Sequence, residues 1–296
     1  MSEERERILT LLEQGKINAD QAARLIQALG QTARPEPPEP PSWPRRPRRV
    51  LAGELDRIPD IVAEAVSSAV RSGFAHAGEM RTSFAGKKHL FLKSVSGNVE
   101  LTGSEEDRVV LEGGGTLLRA RERGDQLMVR SISGDVGGQV PREIRLEIVS
   151  VSGDVKVSGI DGSLKLKSVS GDVDLSDVKG EVGLSVVSGD LKLLSVAGTL
   201  EVESKSGDIE LCPSGPIAGS VESKSGDIVL RLRQDADVVL EMECEEDGDI
   251  SVEDKLEYEV LSEGERTLSM KLGQGSRVLR LRTRRADIRV KRAKEE

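Results

Sequence analysis

Aromatic residues are nearly missing from this sequence: Trp43, Tyr258, Phe74, Phe84 and Phe91 are the five in 296 residues. Rings usually supply much of the buried area of a core, so aliphatic side chains must fill the interior instead. Cysteine is as scarce. Cys212 and Cys244 form no CxxC motif and allow at most one disulfide, which excludes a disulfide-stapled module. Neither has the basic surroundings that activate a thiol. Histidine is limited to His76 and His89, too few for a catalytic triad or a His-based metal site. No apolar run approaches the ~18–20 residues of a membrane span, and the stretch from Met1 to Ile8 lacks the apolar core of a secretory signal. The expected location is therefore the cytoplasm, extending at most to the inner face of the membrane.

Charge excludes further classes. The chain has 43 Lys and Arg against 52 Asp and Glu, a net charge of −9. A nucleic-acid binder needs a concentrated basic face, and this balance does not provide one. No phosphate-binding glycine loop is present, and a β-helical polysaccharide lyase would want aromatic platforms that the chain cannot supply. The sequence thus predicts a protein that is not an enzyme, with no catalytic residues, no cofactor, no metal and no small-molecule substrate.

What the chain does have is a repeat. Ser-Gly-Asp, or Ser-Gly-Asn in the first copy, occurs with its glycine at Gly97, Gly134, Gly153, Gly171, Gly189, Gly207 and Gly226, at gaps of 37, 19, 18, 18, 18 and 19 residues. The first gap reads as two periods with one motif missing. Degenerate copies at Asp247-Gly248-Asp249 and Ala286-Asp287 extend the series to ten steps. Aliphatic columns keep the same period: Val155, Val173, Leu191, Ile209 and Ile228; then Val157, Leu175, Leu193, Leu211 and Leu230; then Ile160, Val178 and Val196. They alternate with Lys156, Asp174, Lys192 and Glu210, the period of a strand with one buried face. A second turn recurs at Gly162, Gly180 and Gly198. So short a unit cannot bury its own apolar face, but stacked copies form a continuous core. The expected fold is mainly β: a single-stranded β-solenoid of about 18–19 residues per coil.

The pairs Gly134-Asp135, Gly153-Asp154, Gly171-Asp172, Gly189-Asp190, Gly207-Asp208 and Gly226-Asp227 invite comparison with a calcium ladder. Turn chemistry is the preferred reading. Glycine supplies a positive φ, and Asp or Asn bonds its own backbone two residues on. Asn98 in the first copy suits an Asx turn better than a metal row. Ser152, Ser170, Ser188, Ser206 and Ser225 are expected to point inward as a stacked hydroxyl row.

The flanks differ in character. Residues 3–29 read as a helical hairpin, with Ile8, Leu9 and Leu12 on one face and Ala22, Leu25, Ile26 and Leu29 on the next. So small a pair needs a partner, either another protein or a copy of itself. Its five acids and five bases in residues 1–34 give a DNA-reading helix pair no footprint. Residues 35–49 hold seven of the eleven prolines, a spacer. Beyond it, Leu51, Leu55, Ile58, Ile61, Val62, Ala65, Val66, Ala69 and Val70 have helical spacing. Such a helix could cap the first coil. With Arg45, Arg46, Arg48 and Arg49 before it, the same segment could instead lie on an anionic membrane, with Ile61, Val62 and Val66 on the lipid side. Near the other end, residues 241–265 carry twelve acids and one base, and residues 277–296 nine bases and three acids. Attraction between neighbouring coils is the simpler explanation; a patch for an acidic polymer is the alternative.

The repeated Ser-Val-Ser-Gly-Asp-Val at 150–155 and 168–173, with Glu-Ser-Lys-Ser-Gly-Asp-Ile at 203–209 and 222–228, resembles the bacterial putative-adhesin β-strand-repeat family. The opening Glu-Glu-Arg-Glu-Arg-Ile-Leu-Thr-Leu-Leu-Glu-Gln-Gly-Lys-Ile-Asn-Ala-Asp resembles the SHOCT-like helical module that precedes it in LiaX- and YvlB-like proteins. The resemblance implies a role in cell-envelope stress or surface association, and no catalytic residue. The expected domains are a SHOCT-like hairpin at 1–30, a linker at 31–50, an amphipathic helix at 51–75 and the solenoid at 76–292. A scaffold with these parts would bind protein partners or itself through the N-terminal helices. An end-to-end polymer resembling the bactofilins and a sensor reading anionic lipid through residues 45–72 are the alternatives.

Overall fold

The computed structural model describes residues 80–114, 119–253 and 256–293. The hairpin, the linker and the amphipathic helix expected before residue 76 lie outside the described residues. The chain divides at Pro47/Arg48, and everything described belongs to the second unit.

Twenty strands follow in order. They are β1 (Met80–Ala85), β2 (His89–Ser96), β3 (Val99–Ser104), β4 (Arg108–Gly113), β5 (Arg119–Arg123), β6 (Gln126–Ser131) and β7 (Val136–Pro141). Next come β8 (Arg145–Ser152), β9 (Val155–Ile160), β10 (Ser163–Ser170), β11 (Val173–Ser188), β12 (Leu191–Ser204) and β13 (Ile209–Ser223). The last are β14 (Ile228–Leu232), β15 (Val238–Cys244), β16 (Ile250–Val252), β17 (Glu259–Glu263), β18 (Thr267–Leu272), β19 (Val278–Thr283) and β20 (Ile288–Arg292).

Each coil contributes a strand to each of two walls, and coils stack in parallel register. Leu164 lies beside Leu146 and Val182, and Val173 beside Val155 and Leu191. Because identical positions stack, one aliphatic choice repeated along the chain becomes a column. Leu166, Leu175, Leu184, Leu193 and Val202 are each at most 1% exposed. The alternating charged residues face out, as a half-buried strand requires. Strands β11, β12 and β13 run unbroken from one wall into the other.

The order of coils departs from the order of the chain at both ends. The 37-residue gap is not two periods with a missing motif. The coil at 89–104 lies between those at 126–141 and 145–160, through β6–β2–β8 and β7–β3–β9. The intervening residues leave the stack as β4, antiparallel to β7, and return as β5, antiparallel to β6. At the other end the coil at 278–292 inserts between 219–232 and 239–252, through β13–β19–β15 and β14–β20–β16. The turn glycines and their substitutes therefore form nine levels rather than eleven. At about 4.8 Å per step the stack is on the order of 40 Å high.

Charge accounts for the second insertion. In the observed order Arg282 lies in register with Glu222 on one side and Glu243 on the other. Stacking in chain order would set Glu243 directly against Glu222, and facing like charges destabilise a strand pair. Antiparallel strands close both ends of the parallel stack: β4 with β1, and β5, at one; β18 with β17 at the other.

Candidate functional site

The Ser-Gly-Asp edge is the most repeated chemistry in the chain, and its geometry decides what it can do. Each motif glycine has positive φ, from +100° at Gly134 to +138° at Gly226. A second constraint adds to φ. A Cβ on Gly171 would collide with the carbonyl oxygen of Gly153 one level away, and the same holds for Gly97, Gly153, Gly189, Gly207 and Gly226. Glycine is needed here for the turn and for the close approach of stacked backbones.

The aspartates act between levels, not within a turn. The Asp172 backbone N–H donates to Asp154 Oδ1 at 3.0 Å, Asp190 to Asp172 at 2.9 Å, Asp208 to Asp190 at 2.9 Å and Asp227 to Asp208 at 2.9 Å. The ladder runs on through both insertions. Asn98 donates to Asp135, Asp154 to the Asn98 amide oxygen, Asp287 to Asp227 and Asp249 to Asp287, at 2.8–3.0 Å. A backbone bond returns in the opposite direction at each level, for example from Val155 N–H to the Asp172 carbonyl at 2.9 Å. An amide oxygen accepts as well as a carboxylate, which explains why Asn98 fits. The Asx bond expected two residues along the same turn is replaced by this bond to the next level.

The inward hydroxyl row is also displaced from its expected place. Ser152, Ser170, Ser188, Ser206 and Ser225 are exposed. The buried row lies two residues earlier: Ser131, Ser94, Ser150, Ser168, Ser204, Ser223 and Thr283. Val186 and Cys244 occupy its remaining levels. Ser131 Oγ donates to the Gly134 carbonyl at 3.4 Å and Ser204 Oγ to the Ser206 carbonyl at 3.3 Å, tying strand end to turn.

A third turn carries no glycine signal in most coils. At this corner Gly159 has φ +69°, while Asp177 and Ser195 hold +50° and +55°. Asp tolerates that region better than most residues. Asp177 also accepts from Arg142 at 3.0 Å, and Arg142 reaches Asp161 at 3.0 Å and Glu105 at 3.3 Å. Asp161, with Glu105 adding to it, holds the Arg142 guanidinium above its ordinary range.

The acidic and basic segments near the chain's end meet as neighbouring coils. Arg280 bonds Glu241 at 2.7 Å, Arg284 and Arg285 share Glu246 at 2.8 and 2.6 Å, and Arg282 pairs with Glu243 and Glu245. Arg289 bridges Asp227 and Asp287 at 2.7 Å each. Arg285 and Arg284 together hold the Glu246 carboxyl below the usual range. For Asp287 the bond from the Asp249 N–H dominates, with Arg289 adding to it. Glu203 moves the other way, raised by burial and by Glu222 beside it. The attraction between coils expected from composition is the arrangement found.

Among the described residues, no group of three or more His, Cys, Asp or Glu side chains could hold a metal ion. Cys212 and Cys244 are both free thiols, and burial raises each, Cys244 to about 11. His89 lies on the outer face of its wall, 3.6 Å from Glu147. The turn residues from Gly134-Asp135 to Gly226-Asp227 come together as one edge. Arg45, Arg46, Arg48, Arg49, Ile61, Val62 and Val66 lie outside the described residues, as does His76.

A family profile described as Toastrack DUF4097 matches residues 86–291, and one described as a SHOCT-like domain matches residues 3–33. Two crystal structures are similar. One is of a putative cell adhesion protein from Clostridium sporogenes ATCC 15579, at 13% identity and TM-score 0.34, covering 74% of this chain and 100% of that one. The other is of a putative adhesin from Bacteroides fragilis NCTC 9343, at 12% identity and TM-score 0.36, covering 72% and 97%. No curated protein matches.

Proposed function

We propose, from the premise that the chain belongs to the Toastrack DUF4097 family, that it is a non-enzymatic scaffold that works by presenting its surfaces to other macromolecules. The observation that carries this reading is the ladder. The side chains repeated most faithfully, Asp135 to Asp287, each accept a backbone N–H of the neighbouring level and so build the rod. The SHOCT-like segment at 3–33 supplies association, with a copy of itself or with another protein. Placement in a cell-envelope stress response, in the cytoplasm or at the inner membrane face, is the finer form of the proposal and follows the resemblance to LiaX- and YvlB-like proteins.

The association is tested by sedimentation velocity of the full chain against a Leu12→Glu, Leu25→Glu variant. The wild type should associate, and the variant should lose that association while its thermal unfolding is unchanged. Identical sedimentation of the two would contradict the role given to the N-terminal residues.

A second reading rests on the four arginines before the apolar positions of residues 51–70. It makes the scaffold a peripheral sensor of anionic lipid. The full chain should then pellet with phosphatidylserine-containing vesicles but not with pure phosphatidylcholine, and less so as salt rises. Replacing Arg45, Arg46, Arg48 and Arg49 with Gln should abolish pelleting. Binding unchanged by the replacement would overturn it.

A further inference from the structure

One wall runs β5–β6–β2–β8–β10–β11–β12–β13–β19–β15–β18–β17, and its two outermost strands differ from every strand between them. Among the described residues each pairs on one side only, β5 with β6 and β17 with β18. An edge strand offers unpaired N–H and C=O groups to any extended chain, and proteins ordinarily blunt such edges.

The two edges carry opposite charge. In β5, Arg119, Arg121 and Arg123 share one face, in register with Arg130, Met128 and Gln126, and Arg121 and Arg123 are exposed. In and beside β17 lie Glu257, Glu259, Glu263 and Glu265, all exposed. Every residue of β17 is exposed. Its apolar members are unusual for so aliphatic a chain. Val260 stands in register with the buried Met270, on the core side of the wall, yet is 47% exposed. Leu261 beside it is 50% exposed and Tyr258 41%. The core thus ends at β17 on apolar groups that no further level covers among the described residues.

We propose that these two edges pair with each other between copies of this chain, β5 of one against β17 of the next, so that solenoids join end to end. Charge selects this pairing over its rivals. β17 against β17 sets Glu against Glu, and β5 against β5 sets Arg against Arg, and facing like charges destabilise a strand pair. Only the mixed pairing opposes arginine to glutamate, with Arg119, Arg121 and Arg123 on the same outer face of the wall as Glu259, while covering Val260 on the core face; Glu122, on the core face of β5, is already paired with Lys87. Because the joined surfaces are different and lie at opposite ends of one wall, each added copy leaves a new edge open. Association is therefore head to tail and grows with concentration, unlike a closed dimer. The inference rests on the scaffold reading and adds to it the surface and the partner.

The test is sedimentation velocity of the full chain over a wide concentration range at low and moderate salt. Wild type should sediment faster as concentration rises, without reaching a fixed size, and salt should weaken this. Arg121→Glu with Arg123→Glu should stop the growth, as should Glu257→Lys with Glu259→Lys, and equimolar mixing of the two variants should restore pairing between their complementary altered edges. Leu261→Lys, which spares the charges already there, should stop it too. Thermal unfolding of each variant checks that the solenoid persists. A wild type of fixed size, or growth untouched by the edge variants, would overturn the proposal. Growth lost only on Leu12→Glu, Leu25→Glu substitution would overturn it as well and leave the role of the N-terminal module standing.

Discussion

Gly171 and Gly183 are twelve residues apart in one coil and make different demands on their neighbours. Gly171 has φ +117° and its missing Cβ would strike the Gly153 carbonyl, whereas the nearest atom to a Cβ on Gly183 is Lys165 Cγ at 3.9 Å. Gly171→Ala should destabilise by more than about 1 kcal/mol, because strain at positive φ adds to the clash. Gly183→Ala, in an extended strand, should be neutral or stabilise by up to about 1 kcal/mol. Urea unfolding of both variants checks the contrast, and equal losses would contradict the role given to the turn. Titration supplies a second expectation. Asp287 has a folded pKa below its unfolded value, so its contribution is present above the unfolded value and is lost as pH falls through the folded one. Glu246 acts in the same direction through Arg285 and Arg284. Unfolding midpoints should therefore fall as pH drops below about 4, and Arg289→Gln should flatten that slope. Glu203 opposes them, since its raised carboxyl costs stability when charged and relieves that cost on protonation. Glu203→Gln should be neutral or slightly stabilising at neutral pH and should steepen the acid loss.

At the level of strands, the inserted coils are what charge arranges and chain order conceals. Arg282 lies between Glu222 and Glu243, so Arg282→Glu would align three carboxylates across β13, β19 and β15. Melting temperature should drop, and adding Glu243→Arg should recover part of the loss, because one of the two new repulsions becomes an attraction. No recovery in the double variant would mean that the row does not hold the insertion. The repeat itself was legible from the columns at Val155, Val173 and Leu191, since periodic aliphatics fix both the strand phase and the coil length. Two features were not. A gap of 37 residues is arithmetically two periods, and nothing local says that the chain leaves the stack as β4 and β5 and returns on its far side. The corner at Asp177 and Ser195 lacks glycine, so its left-handed backbone gives no compositional signal. The buried serine row lies two residues before the expected one for a related reason. The turn inverts the alternation, leaving Ser170 outside and Ser168 within.

Across the described residues, nine levels stand in register because eight of them each hand a backbone N–H to the Asp or Asn of the next. Sequence alone showed the row; whether it served a turn, a metal or the stack depended on a neighbour up to sixty residues away, as between Asp227 and Asp287. The described solenoid presents long faces and two ends, which suits the proposed scaffold. Its central claim is that the aspartate row is a structural ladder, and one measurement tests it most directly. Urea unfolding of wild type would be compared with Asp154, Asp172 and Asp190 changed together to Asn, and together to Ala, each with calcium and with chelator. The ladder predicts an Asn variant close to wild type. It also predicts an Ala variant weaker by roughly 3 kcal/mol, at about 1 kcal/mol for each lost bond, with no effect of calcium on any of them. Stabilisation of wild type by calcium, lost in the Asn variant, would contradict it and make the row a metal site.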